Sequence, residues 1–302
     1  MTAVIEIKNL NKVYRSGTRA LKKLNFKVEK GEFFALLGPN GSGKTTLINI
    51  MSGPVKKTSG QVKIGGLNIE DHREKTKFMI GVVPQELSFD SFFTVNEVLE
   101  LQSGYYGIRE NQNHIDHILE KLNLTDKKNT RTRFLSGGMK RRLMIAKALV
   151  HKPEIIVLDE PTAGVDVELR HNMWDYMKEL NKEGLTILLT THYLEEAEQL
   201  CSRTAIIHEG KLVALDKTKK LISSMGNAKK MTLIFDKKVT KIPAGLKKYK
   251  TELKNKELNI YFESKKLSDI LKSIDGLKPI DIEVEGQKLE DVFLELTYKN
   301  HG

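Results

Sequence analysis

From Val4 to about Leu215, short β-type runs alternate with stretches of helical periodicity. That order builds a mostly parallel sheet covered by helices. The apolar pattern predicts strands over Val4–Lys8, Leu24–Glu29, Glu32–Leu37, Gln61–Ile64, Ile80–Val83, Ile155–Leu158, Thr186–Thr190, Thr204–His208 and Lys211–Leu215. Helices are expected over Lys44–Ser52, Val95–Tyr106, Asn111–Leu122, Gly138–Val150, Val167–Asn181 and Tyr193–Leu200. The fold class that follows is α/β. Between Val83 and Ile155 the chain is helical in pattern and too long for a simple connection, so an inserted helical subdomain is expected over about residues 86–152. The helical stretch around Leu221 gives way to SSMGNAKK at 223–230, small, polar and glycine-containing as a linker should be. The domain boundary is placed near 226, with residues 1–225 ahead of it. In residues 226–302, MTLIFD, LNIYFE and PIDIEVE read as strands and KKLSDILKSI and KLEDVFLELTYK as helices, a small α+β appendage.

Composition narrows the classes. The longest apolar stretches, FFALLG ending at Gly38, Ile155–Leu158 and Ile187–Leu189, fall short of the roughly 18 residues a membrane-spanning helix needs. The opening MTAVIEIKNL lacks the basic start, apolar stretch and small-residue site of a secretory signal. The lone Cys201 has no partner for a disulfide and no cysteine neighbours for a zinc site. A cytosolic protein is expected. The formal charge is +11, and residues 217–302 supply 19 Lys and Arg against 12 Asp and Glu. Such a balance suits an anionic membrane surface or nucleic acid. These lysines alternate with acids, however, which describes an ordinary solvated surface.

Chemistry enters at residues 38–46. The predicted strand ending at Leu37 leads into GPNGSGKTT, satisfying G-x-x-x-x-G-K-[ST], and the chain then enters a helix. In this loop of Gly38, Pro39, Asn40, Gly41, Ser42, Gly43, Lys44, Thr45 and Thr46, the glycines let successive N–H groups turn inward toward phosphate oxygens. The helix N-terminus adds partial positive charge. Lys44 is expected to reach β- and γ-phosphates, and the Thr45 hydroxyl to reach Mg²⁺. The run IIVL at 155–158 ends in Asp159 and Glu160, so both carboxylates emerge at the strand edge where ligands bind in open α/β sheets. Asp159 is suited to hold Mg²⁺ through its water shell, and Glu160 to orient the attacking water for in-line phosphoryl transfer.

Ahead of that pair stands LSGGMKRR at 135–142. With it the chain resembles the nucleotide-binding subunit of an ATP-binding cassette (ABC) transporter over residues 3 to about 225. Ser136, Gly137 and Gly138, a hydroxyl and glycine amides opening a helix, form a second anion site in physical terms. The resemblance implies that this site closes on ATP held by another copy, giving a head-to-tail homodimer with two ATP molecules at the interface. It further implies that Tyr14, in KVYRSGTRAL, stacks on adenine. Gln85, in GVVPQE, would touch Mg²⁺ and the water. Asp166, in PTAGVD, would communicate across the dimer, and His192, in LLTTHYLEEAE, would contact the γ-phosphate. The other histidines lack ligand spacing, so Mg²⁺ is the one metal expected.

Met139 departs from the general family pattern, which commonly has glutamine there. MKRR and the C-terminal KLEDVFLELT resemble instead the branch of daunorubicin-resistance and polysaccharide exporters, whose permeases are separate membrane proteins. The same basic run also reads as a solvated helix face. The implied partners are a second copy and an integral membrane permease, with contact to anionic lipid conceivable and no specific nucleic acid expected. The implied location is peripheral, on the cytoplasmic face of the cell membrane. Phe89, Phe92 and Phe93 either line the permease groove or pack the helical subdomain. The alternative is a soluble regulatory ATPase of the same fold acting on ribosomes or nucleic acid. The single cassette and the absence of a coiled coil count against it. Neither the transported substrate nor the permease is encoded in these residues.

Overall fold

Every residue of Phe33–Leu37, Ile155–Asp159 and Thr186–Thr190 is buried, as strands covered on both faces must be. They lie at the centre of a computed structural model that describes residues 2–86, 91–162, 164–224, 228–237, 239, 242–274 and 277–298. The first part of the chain runs β1 (Ala3–Val13), β2 (Arg19–Glu29), β3 (Phe33–Leu37), α1 (Lys44–Ser52), β4 (Ser59–Ile64), β5 (Leu67–Asn68), α2 (Arg73–Phe78) and β6 (Ile80–Val83). Three helices follow, α3 (Val95–Tyr105), α4 (Gln112–Lys121) and α5 (Gly137–Leu149). Then come β7 (Ile155–Asp159), α6 (Val167–Lys182), β8 (Thr186–Thr190), α7 (Leu194–Leu200), β9 (Arg203–His208) and β10 (Lys211–Lys217).

The six-stranded sheet has the order β10-β9-β3-β8-β7-β6, and β3, β6, β7, β8 and β9 run parallel. Where the periodicity predicts one mostly parallel sheet, the structure holds a second, antiparallel one of order β2-β1-β4-β5. The physical reason lies in β2, whose residues alternate between buried and exposed, the mark of a sheet with one face on the core and one in water. Ile5, Ile7, Leu24 and Phe26 of this sheet share a core with Phe34, Leu36, Val157 and Leu188 of the other and with Leu47 and Ile48 of α1. Both β1 and β2 extend beyond their predicted spans because of a bulge between Ile7 and Leu10. Asn9 and Lys23 take left-handed backbone there, with φ 46° and 51°. The Asn25 side chain accepts from the Asn9 N–H and donates to the Lys23 carbonyl. A bulge interrupts the two-residue period, which hides the strand's second half.

Between β6 and β7, Thr94 and Glu97 open α3 with a reciprocal capping box, and Ser136 caps α5 by accepting from the Met139 N–H at 3.2 Å. Gly81 brings β6 against α5: a Cβ there would lie 2.2 Å from the Ala148 carbonyl oxygen.

The chain divides into two compact units, Met1–Asp216 and Lys217–Gly302. In the second, α8 (Thr218–Ser224), β11 (Ala228–Ile234), β12 (Lys250–Lys254), β13 (Glu257–Glu263), α9 (Leu267–Ser273), β14 (Asp281–Gly286) and α10 (Leu289–Tyr298) follow in order. The antiparallel sheet β12-β13-β11-β14 encloses Met231, Leu233, Leu258 and Ile260 with Ile270 and Ile274. The unit boundary falls ahead of the polar stretch near 226, because α8 lies against α10. Residues 225–227 of that stretch lie outside the described residues.

Candidate active site

β3 delivers the chain into the glycine-rich loop, and α1 leaves it. Gly43 precedes the helix with φ 108°, a conformation that L side chains resist. Gly38 is required for another reason: a Cβ there would sit 2.3 Å from the Ile207 carbonyl oxygen and 2.4 Å from Ser42 Oγ. Lys44, the first residue of α1, is buried, and its Nζ donates to the carbonyls of Gly38 at 2.7 Å and Pro39 at 3.2 Å. Burial pushes its pKa below the usual lysine value, while the carboxylates of Asp159 and Glu160 pull the other way. Ser42 Oγ is buried without a hydrogen-bond partner among the described residues. A buried hydroxyl lacking a partner and an ammonium satisfied only by carbonyls, at a helix N-terminus, fit the oxygens of a phosphate chain.

Across the cleft, β7 ends in Asp159, which lies opposite Thr190 in the β7–β8 register. Thr190 Oγ1 donates to Asp159 Oδ1. Burial nevertheless raises the Asp159 carboxyl above its ordinary pKa. Glu160 turns out of the strand with φ 51° while its N–H donates to the Thr190 carbonyl at 2.9 Å. Its carboxylate meets two of the predicted site residues. Gln85 Nε2 donates to Glu160 Oε2 at 3.0 Å, and His192 Nδ1 lies 3.3 Å from Oε1. Asn40 to Thr46, Gln85, Asp159 and Glu160 therefore line one open cleft. Tyr14 reaches its edge, with its hydroxyl 3.1 Å from Thr46 Oγ1 and Lys12 Nζ 4.8 Å over its ring. Threonine hydroxyl, buried aspartate and glutamine amide form an all-oxygen donor set of the kind Mg²⁺ takes.

The other predicted residues stand elsewhere. Ser136, Gly137 and Gly138 open α5, and Asp166 Oδ1 accepts from the Leu169 N–H at 3.0 Å to cap α6; none of them lines the cleft. Thr190 had no sequence signal, and neither had Arg19, Lys22 and Glu209, which also line it. The reading of MKRR as a solvated face is corrected. Arg141 is 3% exposed and Arg142 5%, the first donating to the Pro84 carbonyl and the second to those of Leu122 and Asn123. Phe92 and Phe93 are exposed rather than packed in a core, and Phe89 lies outside the described residues.

A strand, phosphate-binding loop and helix facing a strand-end Asp-Glu pair define a P-loop nucleoside triphosphatase. The sequence profile of the ABC transporter family matches residues 21–163. The linearmycin resistance ATP-binding protein of Bacillus subtilis is 39% identical over 225 residues, covering 74% of this chain and 72% of that protein. Nod factor export ATP-binding protein I of Cupriavidus metallidurans is 34% identical over 303 residues, 98% of each chain. Among solved structures, the dimeric post-hydrolysis state of an ATP-binding cassette bound to ADP and phosphate has a TM-score of 0.64 at 30% identity, covering 70% of this chain and 98% of that one. The chain belongs to the ABC transporter family as an ATP-binding subunit, and its activity is that of an ATPase.

Proposed function

We propose that two copies of this chain sandwich two Mg·ATP and drive a separate membrane permease that exports its substrate. The Gln85–Glu160–His192 contact carries the reading, since it gathers two groups around the carboxylate placed to act on water. In this reading Lys44 and the loop amides hold the phosphate chain, while Thr45, Gln85 and Asp159 hold Mg²⁺. Held by those residues, Mg²⁺ would supply charge neutralisation to the phosphate chain. Glu160 orients the attacking water and takes its proton as the oxygen bonds to the γ-phosphorus and the bridge to ADP breaks. His192 and Gln85 fix that carboxylate and the γ-phosphate side of the cleft. Tyr14 stacks on the adenine, and Ser136, Gly137, Gly138 and Asp166 of one copy face the ATP of the other.

Export is supported by relatives named for export and resistance, and the dimer by the paired ADP-bound cassette. No helix among the described residues is long and apolar enough to cross a membrane, in keeping with a permease on another chain and attachment at the cytoplasmic face. Residues 1–216 then form the nucleotide-binding domain and 217–302 an accessory domain whose lysine excess suits contact with anionic lipid. Substitution Glu160→Gln is expected to preserve ATP binding, lower turnover by about a hundredfold or more, and accumulate ATP-bound dimers. Turnover assays with size-exclusion light scattering decide it, and normal hydrolysis by the variant refutes the assignment.

A further inference from the structure

Arg141 sits on the second turn of α5. Taking a guanidinium out of water costs several kcal/mol unless its donors are satisfied, and basic helical runs usually stay solvated for that reason. Arg141 is nevertheless buried. Its Nη1 donates to the Pro84 carbonyl at 2.7 Å, while Nε has no partner among the described residues. It makes no ion pair with a described carboxylate; Asp159 and Glu160 attract it from farther away. A buried arginine whose principal partner is a main-chain carbonyl fixes backbone, and this carbonyl belongs to the planar Pro84–Gln85 peptide. Proline already locks its own φ, so holding the carbonyl sets the remaining torsion and with it the starting direction of Gln85. Gln85 is otherwise exposed, yet its amide meets Glu160 at 3.0 Å. At the other end, α5 opens with Ser136 and Gly137, so a shift of that helix reaches Gln85 through one charge-assisted hydrogen bond.

We propose that Arg141 is a positioning residue, holding the Pro84–Gln85 peptide so that the Gln85 amide meets Glu160 and coupling turnover to the placement of α5. This rests on the reading that Gln85 and Glu160 serve hydrolysis. The test compares the full chain with Arg141→Lys, Arg141→Met, Gln85→Ala and the double variant Gln85→Ala/Arg141→Met, measuring kcat and KM for ATP and single-turnover rates. Arg141→Met is expected to lower kcat by about ten- to a hundredfold with KM changed by less than about threefold. Arg141→Lys, which keeps a donor for the carbonyl, recovers part of the rate. In the Gln85→Ala background, Arg141→Met adds less than about a twofold loss, since both changes remove one arrangement. Independent, multiplicative losses overturn the proposal, as does a rise in KM with kcat intact. If Arg141→Met does not fold, Arg141→Lys in both backgrounds answers the same question: a slowed kcat that disappears as an effect without Gln85 supports it, and a persisting one overturns it. Normal turnover by Gln85→Ala overturns the reading of the site itself, and the role of Arg141 falls with it, an outcome distinct from multiplicative losses.

Discussion

His151 follows the α5 terminus with its ring flat on Tyr106, centroids 3.8 Å apart and planes 2° from parallel. It is buried, and neither ring nitrogen has a hydrogen-bond partner of good geometry among the described residues. Burial pushes its pKa down to about 4, with a main-chain group of Ile80 opposing only in part. The native state therefore keeps the ring neutral where an unfolded chain, titrating near the ordinary 6.5, has taken up a proton. This group's contribution is therefore full above about pH 6.5, is lost as pH falls toward about 4, and changes no further below that. Melting temperature measured against pH is expected to fall through that window, and His151→Phe, which keeps the stack without the titration, to flatten the fall. At this scale the sequence is uneven. Lys44, Asp159 and Glu160 are legible because loop and strand end are continuous in the chain. Thr190, Arg141 and His151 are not, because their partners lie on other elements and only packing reveals them.

Elements show the same division. The fully buried β3, β7 and β8 are plain from their apolar runs, whereas α2 (REKTKF) and β12 (KTELK) are polar and carry no periodic signal. The β1–β2 bulge disguises its strands because Asn9, Asn25 and Lys23 satisfy one another by side-chain hydrogen bonds that no alternation announces. Close approach of elements is equally silent until atoms are placed. Gly81 lets β6 lie against the Ala148 carbonyl, so Gly81→Ala must push strand and helix apart. Overpacking of this kind costs about 1–3 kcal/mol, and chemical denaturation is expected to show a loss in that range. The displaced strand is the one that leads to Pro84 and Gln85, so turnover should fall with it.

For the molecule as a whole, the order of motifs along the chain establishes a cassette followed by an appendage, and composition adds that the appendage is the more basic part. The division into a parallel and an antiparallel sheet over one core becomes visible only in space, because pairing partners are set by which faces meet. Ser136 to Gly138 likewise stand in one copy as the cap and first turn of a helix. Stability belongs to this scale too. Glu160 holds a left-handed backbone that costs a non-glycine residue about 1–3 kcal/mol, and it does so beside the buried Asp159 carboxylate. Asparagine tolerates that backbone far better, so Glu160→Asn is expected to melt about 2–4 °C higher while losing turnover, as paired calorimetry and ATPase assays would show. Left to selection for folding alone, the chain would drift toward an inert nucleotide-binding clamp. A glutamate at residue 160 thus gives up folding strength for the turnover proposed for it, and relatives without it at this bend are expected to be sturdier proteins that bind ATP and keep it.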